Sequence, residues 1–140
     1  MQIIICLDYS SFTDKFLSTI QSILKSFKDY EVSIIHIIDE MFFSYGNGNG
    51  VEQQEEVMTD GKYLKQLSLK YLGNKINYIE EYGLPRQKID EILEQSQYDL
   101  LIIGSHSTSI YNSTLLGSVA KHLLRTSTKP VLVIPKEAIK

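Results

Sequence analysis

The sequence predicts an α/β fold with a parallel sheet that carries helices on both faces. Four short runs rich in Ile, Leu and Val have the length and composition of buried strands, and segments with helical spacing separate them. One further segment alternates apolar and polar residues, which is typical of an edge strand. The resulting order is βαβαβαβαβ, and its right-handed crossovers place helices on both sides of the sheet.

Length and composition limit the classes of protein to consider. The 140 residues suit a single domain, residues 1–140, with a sizeable core. The net charge of -3 provides no basic field, so we expect neither nucleic acid nor a membrane surface as partner. The one cysteine, Cys6, excludes an intramolecular disulfide. Since no signal peptide or membrane-spanning run is recognisable, we expect a cytoplasmic location.

The first half of the chain contains two predicted strands and one amphipathic helix. An apolar strand over residues 3–7 ends at Asp8, and Ser10 or Ser11 is a candidate helix cap. The helix should end near Lys28, with an inner stripe of Phe12, Phe16, Leu17, Ile20, Ile23, Leu24 and Phe27. A second strand over residues 31–39 contains His36, which we interpret as a hydrogen-bonded core or edge histidine. Residues 44–50 alternate Gly and Asn and predict a mobile loop.

The second half continues the alternation. A helix over residues 52–72 is followed by Gly73 as its cap, and residues 75–82 give the edge-like third strand. Pro85 opens a helix that Gln97 or Tyr98 closes. Then come a strand over residues 100–103, a helix over residues 118–126 and a last strand over residues 131–134. The inner residues of these helices are predicted to be Ile89, Ile92 and Leu93, then Val119, Leu123 and Leu124.

The most informative stretch is residues 104–120, which read GSHSTSIYNSTLLGSVA. It runs from a buried strand through a loop rich in Gly, Ser and Thr to a helix start. Helix starts carry unpaired N–H groups and a partial positive charge, so they suit phosphates. The alternative is a strand-to-helix turn made only of small residues.

The predicted topology brings this loop to other polar groups. Ligands of open parallel sheets bind at the carboxyl ends of the strands. If the first strand is central, Asp8, Ile37 and the loop from Gly104 share one crevice. Backbone groups near Ile37 could then contact a base, Asp8 a polar edge of the base or ribose, and the loop phosphates. Asp8 could equally satisfy N–H groups at the helix start.

These residues resemble the universal stress protein family over nearly the full chain. The nucleotide signature of that family is Gly, two residues, Gly, nine residues, Gly, then Ser or Thr. Gly104, Ser107, Gly117 and Ser118 fall at the signature spacings, with Ser107 in place of a glycine. Further similar segments are Asp8 followed by Ser10, HIID from His36, GLP from Gly83 and KPVLVI from Lys129.

The resemblance implies a Rossmann-like, adenine nucleotide alpha hydrolase-like three-layer fold with strand order 3-2-1-4-5. It implies ATP or AMP as ligand. If the protein hydrolyses ATP slowly, Mg²⁺ would join the phosphates. It also implies a homodimer paired through the strand Val131 to Ile134. By position, Leu7 and Asp8 would border the adenosine, Ile37 the base and Gly104 the ribose. The phosphates would be surrounded by Ser107, Gly117, Ser118 and Val119, with Ser105 and His106 in the same loop.

Ser107 is the one departure from the signature. A glycine there can adopt φ > 0 and lets a phosphate approach the backbone, whereas serine in that conformation costs about 1 kcal/mol. Its hydroxyl, in turn, could donate to a phosphate. His106 could contact a phosphate or act as a general base, or could simply be an exposed loop residue.

Other nucleotide-binding and catalytic classes fit poorly. A phosphorelay receiver needs an Asp after its third strand, and a dehydrogenase needs a glycine fingerprint after its first. An adenylating enzyme would show a Ser-Gly-Gly or His-x-Gly-His motif, and none is present. No spacing among His36, His106 and His122 suggests a metal site. Two functions stay open: a nucleotide-binding module in stress response or regulation, with at most slow ATP hydrolysis, or a nucleotide-free dimeric interaction protein.

Overall fold

The computed structural model describes residues 1–8, 10, 12–39, 50–105 and 116–135, with backbone only for 50–60. Within these residues, five strands and four helices alternate along the chain, as predicted. The strands are β1 (Gln2–Cys6), β2 (Glu31–Asp39), β3 (Asn77–Gly83), β4 (Leu100–Gly104) and β5 (Val131–Ile134). The helices are α1 (Thr13–Leu24), α2 (Gly50–Leu72), α3 (Pro85–Glu94) and α4 (Ser118–Thr126).

All five strands form one parallel sheet in the order β3-β2-β1-β4-β5, which confirms the predicted topology. β1 is central and pairs with β2 through Ile5 and Ile34, and with β4 through Ile5 and Ile102. The side chains of β1 are buried from Ile3 to Cys6, because helices cover both faces of the sheet. β3 and β5 are the two edges.

Side chains alternate between two apolar layers. One layer packs Ile3, Ile5 and Ile34 against α1 and α2, with Phe16, Leu17, Ile20, Leu24, Leu64 and Leu67 from the helices. The other packs Ile4, Ile35 and Ile103 against α3 and α4, with Ile89, Ile92, Ala120 and Leu123 from the helices. The period of two in the strands and of 3.6 in the helices therefore gives a three-layer fold.

Several boundaries differ from the prediction. α1 ends at Leu24 and not near Lys28, because Ser26 and Phe27 donate to the carbonyls of Ile23 and Leu24, three residues back. Asp29 follows with a φ of 55° and ends the turn. α3 likewise ends at Glu94, where Ser96 N–H and its hydroxyl bond to the carbonyls of Leu93 and Ile92. Tight turns of this kind do not change the spacing of the hydrophobic residues, so that spacing could not predict where these helices end.

One face assignment also changes. Leu124 was predicted to point inward but is 47% exposed, whereas Ala120 is buried in its layer. α4 is short and its inner stripe consists of Ala120 and Leu123, with Val119 packed beside them. The predicted loop over residues 44–50 lies outside the described residues except for Gly50, which begins α2.

Candidate functional site

A crevice opens at the carboxyl ends of β1, β2 and β4. On one side of β1 the chain continues to β2 and β3, and on the other side to β4 and β5, so the strand order changes direction at this point. Its walls come from the end of β1, the start of α1, the middle of β2, the starts of α3 and α4, and the end of β4. The lining residues are Cys6, Leu7, Asp8, Ser10, Phe12, Thr13, Phe16, Ile35, Ile37, Pro85, Ile89, Ile103, Gly104, Ser105, Gly117, Val119 and Ala120. Most of these walls are apolar, and Asp8 provides the one carboxyl among them.

The turn from β1 into α1 is held by two hydroxyl groups. Thr13 is buried, and its Oγ1 donates to the Asp8 carbonyl at 2.8 Å while accepting from Ser10 N at 2.9 Å. Ser10 Oγ accepts from Phe12 N at 3.1 Å, so Phe12 and not a serine occupies the N-cap position of α1. This network fixes the backbone beside Asp8 and leaves its side chain at the crevice. The predicted cap at Ser10 or Ser11 is therefore wrong as to position.

The two ends of the 104–120 stretch are tied together. Gly117 N donates to the Ser105 carbonyl at 2.6 Å, and Ser105 N donates to the Ile134 carbonyl at 2.9 Å. Ser105 is only 5% exposed. Although His106 and Ser107 lie outside the described residues, the flanking Gly104–Ser105 and Gly117 therefore face the same crevice.

The start of α4 lies at the rim of this crevice. Gly117 is its N-cap, with φ -63° and ψ 158°, and no described side chain caps the helix start. The first N–H groups of a helix have no intrahelical partner and carry the positive end of the dipole. Val119 lines the crevice, whereas the side chain of Ser118 is exposed outside its lining. The geometry leaves backbone donors available for an anion.

The electrostatics of the crevice centre on Asp8. Solvent reaches Asp8 through the open crevice, but protein atoms surround its carboxyl. This restricted hydration disfavours the charged form of the carboxyl and so raises the pKa of Asp8. The positive charge of His36 opposes the rise, and the nearby Asp39 carboxylate adds to it. Burial also raises the pKa of Cys6 to about 12, so the thiol in the crevice wall is neutral and inert.

Seven of the ten predicted site residues line this one crevice: Leu7, Asp8, Ile37, Gly104, Ser105, Gly117 and Val119. Pattern reasoning did not identify the contributions of Phe12, Thr13, Pro85 and Ile89. Thr13 and Pro85 could have been predicted, because each begins a helix that follows a parallel strand. Such helices begin at the edge of the sheet where the strands end. Phe12 and Ile89 carried no signal beyond their place in apolar stripes.

Two absences hold for the described part of the chain. Residues 1–8, 10, 12–39, 50–105 and 116–135 contain no group of three His, Cys, Asp or Glu side chains placed to hold a metal ion. Within the same ranges, no helix is both long enough and apolar enough to cross a membrane.

Comparison with known proteins places the chain among relatives of the same fold. Universal stress protein MJ0577 of Methanocaldococcus jannaschii is 31% identical, with 81% of this chain and 82% of that protein covered. The solved structure of MJ0577 superposes with a TM-score of 0.75 at 29% identity, over 95% of this chain and 94% of that one.

Two more distant solved structures contain nucleotides. A universal stress protein from Archaeoglobus fulgidus in complex with dAMP has a TM-score of 0.58 at 18% identity, over 96% of this chain and 97% of that one. A universal stress protein in complex with cAMP has a TM-score of 0.65 at 16% identity, over 96% of this chain and 95% of that one. The sequence model of the universal stress protein family matches residues 1–135. This chain belongs to the universal stress protein family.

Proposed function

We propose that residues 1–140 form a single module that binds an adenine nucleotide, ATP or AMP, in the crevice and acts in stress response or regulation. The observation that carries the proposal is the crevice itself. It joins apolar walls, one carboxyl and a helix start that no described side chain caps, at the carboxyl ends of the central strands. A base needs apolar walls, a ribose or base edge needs a polar group, and phosphates need N–H donors.

Each part of the nucleotide has a candidate surface. The base would lie against Leu7 and Ile37, which are 2% and 7% exposed, and Asp8 would accept from a polar edge of the base or ribose. Gly104 would border the ribose. The phosphates would lie at the start of α4, near Gly117, Ser118 and Val119, with Ser105, His106 and Ser107 completing the loop. Mg²⁺ would enter with the phosphates of ATP, since it is usually held by substrate phosphates and few protein ligands.

The relatives support adenine as the base. Universal stress proteins of the same fold occur in complex with dAMP and with cAMP. Both ligands have an adenine and at least one phosphate, which is the combination that we propose for the crevice.

A direct test is to identify the ligand that copurifies with the protein. Freshly purified protein should show excess absorbance at 260 nm over 280 nm, and mass spectrometry of the released ligand should identify ATP or AMP. Protein freed of ligand should gain thermal stability when ATP or AMP is added, with and without Mg²⁺. Absence of both a bound nucleotide and a thermal shift would refute the proposal.

A second candidate function is a dimeric interaction module, favoured by the sheet edge at β5. Val131, Leu132 and Val133 are only partly buried, and among the described strands β5 pairs with β4 alone. An apolar edge strand of this kind invites pairing with a second strand. Nucleotide binding and dimerisation are compatible, because the crevice is formed by other elements. Light scattering measures the oligomeric state, and a monomer at all concentrations would exclude the dimer.

A further inference from the structure

A side-chain hydrogen bond joins the two helices that flank the crevice on one face of the sheet. His122 Nε2 of α4 lies 2.7 Å from Asp90 Oδ2 of α3. Since a carboxylate only accepts hydrogen bonds, the imidazole nitrogen is the donor, whether the ring is neutral or charged. The side chains of His122 and Asp90 are 24% and 37% exposed, so the bond lies at the edge of the apolar layer. Among the described residues, it is the one polar side-chain contact between α3 and α4.

Both bonded residues are close in sequence to residues that line the crevice. Asp90 directly follows Ile89 of α3, which is 4% exposed. Val119 lies three residues before His122, so these two residues share one side of α4. The bond therefore connects two walls of the crevice, Ile89 on α3 and Val119 on α4.

α4 has few other contacts that fix its orientation. Of its nine residues, only Ala120 and Leu123 are buried, and they hold one face of the helix on the sheet. A stripe of two residues keeps the helix on the sheet but resists rotation about the helix axis poorly. At the helix start, Gly117 N donates to the Ser105 carbonyl at 2.6 Å. The bond from His122 to α3 limits the rotation that these contacts allow.

A rotation of α4 would move the backbone groups that we propose to meet the phosphates. The N–H groups of Ser118 and Val119 belong to the first turn of α4 and have no partner within the helix. On a backbone cylinder of about 2.3 Å radius, a rotation of about 25° displaces an atom by about 1 Å. A displacement of this size is enough to break a hydrogen bond to a fixed acceptor.

We propose that Asp90 and His122 are positioning residues for the ligand of the crevice. Their hydrogen bond fixes the rotation of α4 against α3, and with it the spacing of Ile89 and Val119 and the direction of the N–H groups at the helix start. Neither Asp90 nor His122 lines the crevice, so both act through α4 and do not touch the ligand. The effect on affinity rests on the proposed nucleotide function, whereas the restraint on α4 does not.

Two pairs of substitutions of matched size test the bond. Asp90→Asn keeps an oxygen acceptor, whereas Asp90→Leu keeps the branched shape without an acceptor. His122→Gln keeps an N–H donor in place of Nε2, whereas His122→Met has a similar length and no donor. Isothermal titration with ATP should give an affinity about fivefold weaker in Asp90→Leu and His122→Met, the equivalent of one typical hydrogen bond. Asp90→Asn and His122→Gln should stay within about twofold of wild type.

A double variant and a neighbouring residue provide the controls. Asp90→Leu combined with His122→Met should bind ATP no more weakly than either single variant, because each already lacks the bond. Glu91 follows Asp90 but pairs with Lys88 at 3.3 Å, and Lys88 also pairs with Glu81 of β3. Glu91→Leu should therefore bind ATP as wild type does. Additive losses in the double variant, or an Asp90→Asn variant as weak as Asp90→Leu, would contradict the proposal.

Amide hydrogen exchange separates positioning from general stabilisation. The Gly117 N–H, bonded to the Ser105 carbonyl, reports on the start of α4. The Leu7 N–H, bonded to the Ile35 carbonyl at 2.9 Å, reports on another wall of the crevice. In ligand-free Asp90→Leu, Gly117 should exchange about fivefold faster relative to Leu7 than in wild type. An unchanged ratio of the two exchange rates would show that the bond does not restrain the start of α4, and would overturn the proposal.

Failure of this inference and failure of the proposed function give different results. If wild type binds ATP, equal affinities in wild type, Asp90→Leu and His122→Met would contradict the positioning role. If wild type binds no adenine nucleotide while Gly117 still exchanges faster relative to Leu7 in Asp90→Leu, the nucleotide function fails and the restraint on α4 stands.

Discussion

Single residues in the crevice show a conflict between stability and binding, and Asp8 is the clearest case. Asp8 is exposed at the crevice, but the protein atoms packed around its carboxyl reduce hydration of the charged form, which raises the pKa of Asp8 above the ordinary value. A group with a raised folded pKa favours the folded state while it is neutral, and this contribution is lost as the pH rises through the folded pKa. Ionisation of Asp8 therefore costs folding stability, and the contact with a nucleotide that we propose for this carboxyl would offset that cost.

We expect Asp8→Asn to raise the melting temperature at pH 7 and to weaken ATP binding. The amide has nearly the shape of the carboxyl but no charge to dehydrate. Calorimetry at pH 7 and pH 4 should show the gain in stability at pH 7 and little or none at pH 4, where the carboxyl is protonated. Asp14→Asn, at an exposed position in the first turn of α1, is the control and should give no gain. A loss of stability in Asp8→Asn at pH 7 would contradict the electrostatic account.

Cys6 gives a second prediction at this scale. Its pKa is raised from 9.0 to about 12 by burial first and by Asp8 second. The neutral thiol therefore contributes its full share to the free energy of unfolding below pH 9. Above pH 9 this contribution falls by about 1.4 kcal/mol per pH unit. Urea unfolding at pH 8, 9 and 10 should show a steeper decline for wild type than for Cys6→Val, which has no thiol. Equal slopes would show that the thiol is not buried as described.

Among the elements, α4 matters most, because its start borders the crevice while its inner side covers the sheet. Its nine residues have only Ala120 and Leu123 fully buried. His122 Nε2 lies 2.7 Å from Asp90 Oδ2 and connects α4 to α3. The position of Gly117 thus depends on a small contact area.

Leu123 and Leu124 allow a matched test of how α4 is anchored. Leu123 is fully buried and Leu124 is 47% exposed, yet both are leucines in the same helix. Leu123→Ala should lower the free energy of unfolding by about 2–5 kcal/mol, and Leu124→Ala by less than about 0.5 kcal/mol. Urea unfolding of the two variants measures the difference. Similar losses in both would mean that the helix is rotated relative to the described packing.

For the whole molecule, the proposed dimer through β5 makes a prediction about the backbone. Pro130 and Ile134 direct their carbonyls to β4, so the period of two places the N–H of Val131 and Val133 at the free edge. Val133→Pro removes an edge donor without removing a bond to β4, and it should turn a dimer into the 16.0 kDa monomer. Val133→Ala keeps the donor and should stay dimeric. Light scattering measures the mass of both variants in solution. If Val133→Pro is still a dimer, the dimer does not form through this edge.

The fold could be predicted because each strand and helix carries its own periodicity. The continuous apolar run from Ile3 to Leu7 predicts burial on both faces, and the alternation of apolar and polar residues over 75–82 predicts an edge strand. The strand order followed from family resemblance, since spacing alone does not order parallel strands. The end of α1 at Leu24 and the exposure of Leu124 were missed, because turn hydrogen bonds and helix rotation depend on tertiary contacts.

The candidate site was predictable where a carboxylate or a loop rich in Gly and Ser marks the end of a strand, as at Asp8 and at Gly104–Ser105. Phe12 could not be foreseen as a wall of the crevice, because in sequence it only continues an apolar stripe. The relation of His36 to Glu80 was equally hidden, since the two are partners only through the strand register. Contacts between residues that are far apart in sequence can be identified only from the sheet that brings the residues together.

Isothermal titration of ligand-free protein with ATP and AMP, in wild type and Gly117→Val, tests the central claim most directly. Gly117 has a φ of -63° and a ψ of 158°, which valine adopts readily, so the variant should fold while its added side chain crowds the proposed phosphate position. Lys121→Val, at an exposed position one turn later, introduces the same residue away from the crevice. We predict saturable binding to wild type and Lys121→Val, and at least a tenfold weaker affinity, about 1.4 kcal/mol, in Gly117→Val. No saturable heat with wild type, or equal affinity in Gly117→Val, would contradict the account.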